Sequence, residues 1–508
     1  MKKQLPSQPS LEQLKKQAKD LLKSHQSGDT TAIQRIREFH PRLANVSNGE
    51  TRKVAFSLSD AQLVIAREYG FESWPKLKEH VQSATLKNGD PLELFAEAVA
   101  ADDAAQVRRI LERHPELKAG LNEPLLDFDS PAIIQARSRE MIDALLNAGA
   151  DINAKSRWWA GGFGLLHGAD ADLAAYAVER GAIVDVHAAA RLGLLDRLHA
   201  LVSADPALVR ARGGDGQTPL HFASTVAVAE YLLDHGADME ARDVDHESTP
   251  AQYMIKDRQD VARCLIHHGC KTDILMAAAL GDADLVRKHL DADPNCIHLR
   301  VSDEFFPMIG GKNGGTIYQW TLGWYVSAHQ VARRFGHEEV LSLLMERSPV
   351  DVKLVAACWL GDETTVKSLL AMRPSIVASL SDADRRHLAH AARNDNLTAV
   401  RLMLTAGFPL NGRSQEGGTP LHWAAFYGDR VMVMVLLQHD PPLEITDTVH
   451  NGTPLDWAIY GSQHSGFRQV GNYPVVVEML IQAGAKFDAP AGTDEVKEVM
   501  RRYGDPNR

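Results

Sequence analysis

Apolar positions in this chain fall in short paired runs. From residue 92 to 488 an alanine-rich run is followed by a brief polar break. A second run then carries Val and Leu three and four apart, and a turn follows, usually with a glycine. That spacing is the helical period with one apolar face, so each unit predicts a pair of helices. The clearest copies are "GGDGQTPLHFASTVAVAEYLLDHGADMEARD" (213–243) and "SQEGGTPLHWAAFYGDRVMVMVLLQHDPPLEITD" (414–447). In both, Thr-Pro opens the first helix: Thr suits a cap, and Pro suits a first turn where a missing N–H costs nothing. The turns "NAGADIN", "DHGADME", "HHGCKTD" and "QAGAKFD" repeat one terminus, and weaker copies such as "DVHAAARLGLLDRLHALVSADPAL" fill the gaps. About twelve helix pairs fit, at a spacing of about 33 residues.

Gly418, Thr419, Pro420, Leu421, His422, Ala424, Ala425 and Gly428 match a Gly-x-Thr-Pro-Leu-His-x-Ala-Ala-x-x-Gly pattern. This resembles the ankyrin repeat. The resemblance implies an all-α helical solenoid of about twelve helix pairs, because a single pair cannot bury its own apolar face. It divides the chain into a helical N-terminal module (1–88), two ankyrin-like arrays (89–300 and 301–490) and a C-terminal tail (491–508). By fold analogy it implies a scaffold that recognises a protein or peptide through its concave face and hairpin tips. A small-molecule enzyme or receptor is the alternative, and a small molecule is its possible partner.

Two turns depart from the pattern together. "DVDHESTPAQYMI" precedes and includes Thr249, and "DTVHNGTPLDWAI" does the same for Thr453, 204 residues later; Thr218 and Thr419 are 201 apart. Each keeps an Asp (Asp243, Asp447) with a His three residues on (His246, His450) and one residue more than the family turn. Each replaces the histidine after Thr-Pro-x, by Gln252 or Asp456, and follows it with an aromatic, Tyr253 or Trp457. Shared departures point to duplication of a six-repeat unit. Two readings of the histidines stand side by side. Each bonds its own turn and the neighbouring hairpin, as polar turn residues commonly do. Or Asp243, Asp245, His246, Asp447, His450 and Asp456 supply acid–base chemistry, with Asp and His facing the concave side.

In the ankyrin-like frame the positions leaving the first helix toward the concave surface hold Phe222, Trp423, Phe426, Tyr427, Trp457 and Tyr460, with Tyr253, Trp359 and Phe335 in comparable places. Aromatics make up only 6% of the chain, so this concentration suits a ligand or peptide groove. Packing between repeats is the competing explanation. Two insertions, 302–325 and 461–474, carry aromatics of their own and are expected to be lids; Gly310, Gly311, Gly314 and Gly315 make the first pliable. "GGKNGG" lacks P-loop spacing. "HLAH" puts His387 and His390 on one helical face without a third ligand, so no metal and no cofactor is expected.

Composition adds little. No run of 18 apolar residues predicts a membrane span, the start is no secretory signal, and four scattered cysteines make no disulfide framework. A cytoplasmic setting is expected. Residues 1–89 hold 15 Lys+Arg against 9 Asp+Glu, the remainder 40 against 57, giving the total of −11. An acidic body speaks against nucleic acid as the main partner. "LEQLKKQAKDLL" and "DAQLVIAREYGFESWPKLKEHV" resemble the helical leader that precedes ankyrin repeats in many bacterial proteins, and the resemblance implies no activity. The leader is expected to cap the exposed apolar end of the array.

Overall fold

The computed structural model describes residues 3, 5, 11–43, 46, 51, 54, 56–78, 81, 90–310 and 314–504. Residues 311–313 of the first insertion, 82–89 at the predicted module boundary and 505–508 of the tail lie outside them. Among the described residues the fold is all-α: two isolated β-bridges, Leu126 to Ser130 and Arg300 to Ser327, are its only extended pairings. No helix there is long and apolar enough to cross a membrane. The chain divides into two compact units, Met1–Val184 and Asp185–Arg508.

In the first unit, helices Leu11–Gln26, Thr30–Phe39 and Leu58–Glu68 close around Leu14, Leu21, Ile36, Val64 and Ile65. Ser57 and Asp60 cap the third helix reciprocally, and Gly70 at φ 86° follows its end. Glu68 is buried in this module and satisfied by Arg35, at 2.7 and 2.9 Å, and by Lys3 at 2.7 Å. Farther on, helix pairs begin with Pro91–Ala100 and Ala104–Arg113. In the next two pairs the first helix shrinks to a 3-10 turn, Ala132–Gln135 and Leu165–His167. The "GGFG" run at 161–164 precedes the second of these turns, and glycines disfavour helix formation.

Among the described residues the second unit stacks nine helix pairs from Val186–Arg191 to Tyr473–Gln482, most first helices packing on the next, while Pro250–Met254 packs on Ile317–Thr321 and Val350–Leu360 on Leu397–Ala406, and it ends in helix Asp494–Tyr503 within the C-terminal tail. The motif histidine shows how one repeat is tied to the next. His221 Nδ1 accepts from Thr218 N–H at 3.1 Å, and its Nε2 reaches the Ser248 carbonyl of the following repeat at 3.1 Å. His422 does the same with Thr419 (3.1 Å) and Gly452 (3.0 Å). An imidazole accepting at Nδ1 carries its proton on Nε2, so the neutral ring alone makes both bonds. Burial pushes His221 down to about 3 and His422 to about 4, keeping both rings neutral. Gln252 and Asp456 explain the departures from this motif: each accepts the N–H of its own Thr at 2.8 Å with a side-chain oxygen.

Candidate functional site

The twin turns are built on their aspartates. Asp243 is buried, with Oδ2 accepting His246 N–H and Oδ1 accepting Ser248 N–H, both at 2.7 Å. Asp447 takes four donors: Val449 and His450 N–H on Oδ1 (2.8 and 2.6 Å), Gly452 N–H and Trp457 Nε1–H on Oδ2 (both 2.8 Å). Both carboxylates therefore meet the backbone N–H of their histidines. The additional residue takes up the left-handed backbone, at Glu247 (φ 45°) and Asn451 (φ 58°), so neither histidine is strained. Burial raises Asp243 above the ordinary carboxylate range. At Asp447 burial acts in the same direction but its donors outweigh it and hold it well below that range.

Beyond this shared core the two turns serve different neighbours. His246 Nδ1–H donates to the Gly315 carbonyl at 2.7 Å, and Gly314 N–H donates to the Asp245 carbonyl at 2.9 Å. The Glu247 carboxylate accepts Ile309 N–H at 2.9 Å and Gly310 N–H at 2.6 Å. Trp320 Nε1–H donates to the Gly314 carbonyl at 2.9 Å, its ring 6.3 Å from His246. The first turn is thus the anchor of the 302–325 insertion, a strap whose base is closed by the Arg300 to Ser327 bridge. His246 Nε2 stands 4.0 Å from Asp245 Oδ2. Asp215, Asp245 and His246 each bring one ligand atom within 4.8 Å of the others, the grouping here that could hold a cation. A cavity of about 400 Å³ beside this turn includes His246, Thr249 and Gln252 and is roofed by strap residues 305–309.

The second turn borders a different cavity of about 650 Å³, with no lining residue in common with the first. Its walls are Trp423, Phe426, Trp457 and Tyr460; Glu416, His450, Asn451 and Asp456 supply the polar part. The rings stand nearly at right angles: Trp423 and Trp457 at 5.1 Å and 87°, Phe426 and Trp457 at 5.9 Å and 73°. Both indole N–H groups are engaged elsewhere, Trp457 with Asp447 and Trp423 with Ser414 at 2.6 Å. The two tryptophans therefore offer the cavity carbon and π-electrons. Gly418 makes room for them, because a Cβ there would lie 2.9 Å from Trp457 and 3.1 Å from Trp423. The 461–474 insertion braces the back. Tyr473 Oη donates to the Phe426 carbonyl at 2.8 Å, and Phe467 packs 4.9 Å from Tyr427. Arginine and lysine are absent from this lining.

Of the aromatics anticipated from sequence, Trp423, Phe426, Trp457 and Tyr460 thus share one cavity. Tyr427 lies behind them, its Oη donating to the Arg393 carbonyl at 2.7 Å. Phe222 is buried edge-on to His187. Tyr253 sits 5.4 Å from His221 and 6.2 Å from His246. Trp359 is buried with its Nε1–H on His387 Nδ1 at 2.9 Å, and Phe335 stacks on His337. His387 and His390 are buried too, held down to about 4 and about 2 by desolvation. Glu416 and Glu247 escaped the sequence reading. Glu416 stands 201 positions after Asp215 in the matching turn, also at positive φ, and that correspondence was the available signal.

The family of ankyrin repeats matches this chain in three copies, over residues 186–276 and 387–491. The second span contains every residue lining the aromatic cavity. The protein thus has an all-α fold that carries ankyrin repeats. It is similar to the E3 ubiquitin-protein ligase XB3 of Oryza sativa subsp. japonica, 34% identical over 98 residues, 19% of this chain and 22% of that protein. It is also similar to the palmitoyltransferase AKR1 of Lachancea kluyveri, 33% identical over 104 residues, 20% of this chain and 14% of that one. The similarity thus spans less than a quarter of either relative.

Proposed function

We propose that this protein is a cytoplasmic binding scaffold that captures an extended peptide segment of a protein partner, with a basic side chain seated in the aromatic cavity at 416–460. The observation that supports this reading is the cavity itself: three rings nearly perpendicular to one another, Tyr460 58% exposed at its edge, and Glu416 and Asp456 as the charged groups of its lining, with Arg393 on Trp423, 5.0 Å from the ring centre, as the nearby cation that Glu416 also feels. A cation over aromatic faces gains about 0.5–2 kcal/mol depending on desolvation, and a nearby carboxylate adds to it. Asp456 is tied to Thr453 by a hydrogen bond, whereas Glu416 has the longer-range attraction of Arg393, so Glu416 is the carboxylate placed to meet a peptide cation. The protein needs no cofactor for this role, and the leader at 1–88 belongs to it as an end cap of the array.

Display of random peptides against the full chain tests the proposal. Enrichment of Lys- or Arg-containing sequences, with binding weakened about tenfold or more by Tyr460→Ala and by Glu416→Gln, is the expected result. Enrichment of acidic or purely apolar sequences, or indifference to both substitutions, refutes it.

A further inference from the structure

A second, smaller cavity of about 200 Å³ lies where the base of the strap meets helix His387–Arg393 and the 413–414 turn. Ser302, Trp324 and His390 line it, and each carries a buried polar atom without a hydrogen-bond partner: Ser302 Oγ, Trp324 Nε1 and His390 Nδ1. Arg393, stacked 4.6 Å from the Trp324 ring, leaves its buried Nε likewise unpaired. Buried polar groups in folded proteins are almost always satisfied, so three orphans lining one cavity, with a fourth on the adjoining Arg393, demand an explanation. Two of them, the indole N–H and the guanidinium Nε–H, can only donate, so whatever satisfies them presents acceptors. Two arginines, Arg386 and Arg413, also face this space. The backbone gives a separate sign: Tyr325, a bulky residue, is held at φ 58° while its ring stacks on His390 at 3.4 Å and 7°. Strain of this kind in an aromatic residue persists where the surroundings enforce it, and clusters at ligand sites.

We infer that this cavity binds a small organic carboxylate, its oxyanion held by Trp324 Nε1–H, Ser302 Oγ–H and Arg386, and its carbon skeleton against the Trp324 and Tyr325 rings. Asp303 and Glu304 lie on the same lining. Two carboxylates there disfavour a dianion such as phosphate and favour a monoanion. The size admits a metabolite of a few carbons and excludes a drug-sized ligand. Trp423 connects this site with the aromatic cavity, because the Ser414 that receives its indole N–H lines the carboxylate site. The inference does not rest on the peptide-binding proposal.

Calorimetry and thermal shift on the full chain, with acetate, lactate, glutamate, benzoate, inorganic phosphate and methylammonium as probes at millimolar concentration, test it. At least one carboxylate should bind and raise the melting temperature, and methylammonium should not. Trp324→Phe keeps an aromatic ring under Arg393 and removes the orphan donor together with part of the indole. It should lower the melting temperature of the free protein by a few degrees at most, and weaken the carboxylate about tenfold. Arg386→Ala, at an exposed position, should weaken it similarly, whereas Tyr460→Ala in the other cavity should not. Absence of binding by every carboxylate, preference for phosphate, or binding indifferent to both Trp324→Phe and Arg386→Ala overturns the assignment; in the first case ordered water satisfies the orphans.

Discussion

Asp447→Asn is the substitution that separates the two duplicated turns most sharply. The side chain keeps its shape, but each oxygen of Asp447 serves two N–H donors, and an amide can present oxygen to only one pair. Whichever way the new amide turns, its NH₂ faces either the Val449 and His450 amides or the Gly452 amide and the Trp457 indole. Two bonds to a charged acceptor are lost, at about 1.5 kcal/mol or more each, and the others weaken with the charge. The cost is therefore about 3 kcal/mol, roughly a hundredfold in the opening equilibrium of this repeat. At Asp243 each oxygen serves a single amide, so Asp243→Asn loses one bond, about 1–2 kcal/mol. Urea unfolding followed by tryptophan emission measures both, with amide exchange of Gly452 as the local probe. A cost for Asp447→Asn no larger than for Asp243→Asn refutes the reasoning. Their pH dependences should also oppose each other. The depressed carboxyl of Asp447 contributes stability that is complete above its unfolded value of 3.8 and is lost as the pH falls below it. Asp243 is raised, so its contribution is present below 3.8 and is lost as the pH rises through its folded value.

Three further outcomes are expected. His221 and His422, held at about 3 and about 4, contribute stability that is full above the unfolded value of 6.5 and falls as the pH drops below it; melting curves between pH 7 and 4 should decline, and less steeply in the His221→Gln, His422→Gln double variant. Glu247→Ala removes the acceptor that holds Ile309 and Gly310, so limited proteolysis should cut the strap near 305–310 several-fold faster, while global stability falls by only about 1 kcal/mol. Unchanged cleavage would show that the strap is held elsewhere. Gly461→Ala drives a Cβ into the Phe426 carbonyl oxygen and should cost about 1–3 kcal/mol in urea unfolding, with weakened peptide binding at the neighbouring cavity.

What this sequence determines by itself is the repeat. Pairing, the Thr-Pro openings and terminal glycines such as Gly428, at φ 66°, are local or periodic features, and a one-dimensional stack adds only neighbour-to-neighbour contacts. The twin turns were legible for the same reason, as shared departures at a fixed separation. Their different uses were not. His246 and His450 follow an Asp at the same spacing and precede the same Thr-Pro, but one meets Gly315, 69 residues away, and the other borders an aromatic cavity. Locally they differ at Glu247 and Asn451, but what those residues meet is decided by an insertion on one side and an aromatic neighbour on the other. The same holds for the aromatics: Trp359 and Phe426 occupy the same repeat position, two residues before Gly361 and Gly428, yet Trp359 has its indole N–H on a buried His387, while Phe426 has Trp457 5.9 Å away and lines a cavity. The orphans Ser302, Trp324 and His390 lie as far as 88 positions apart and meet only because the strap folds back on a later repeat. Periodicity reports which side of a helix is apolar, and long-range packing decides which of those sides encloses space for a ligand.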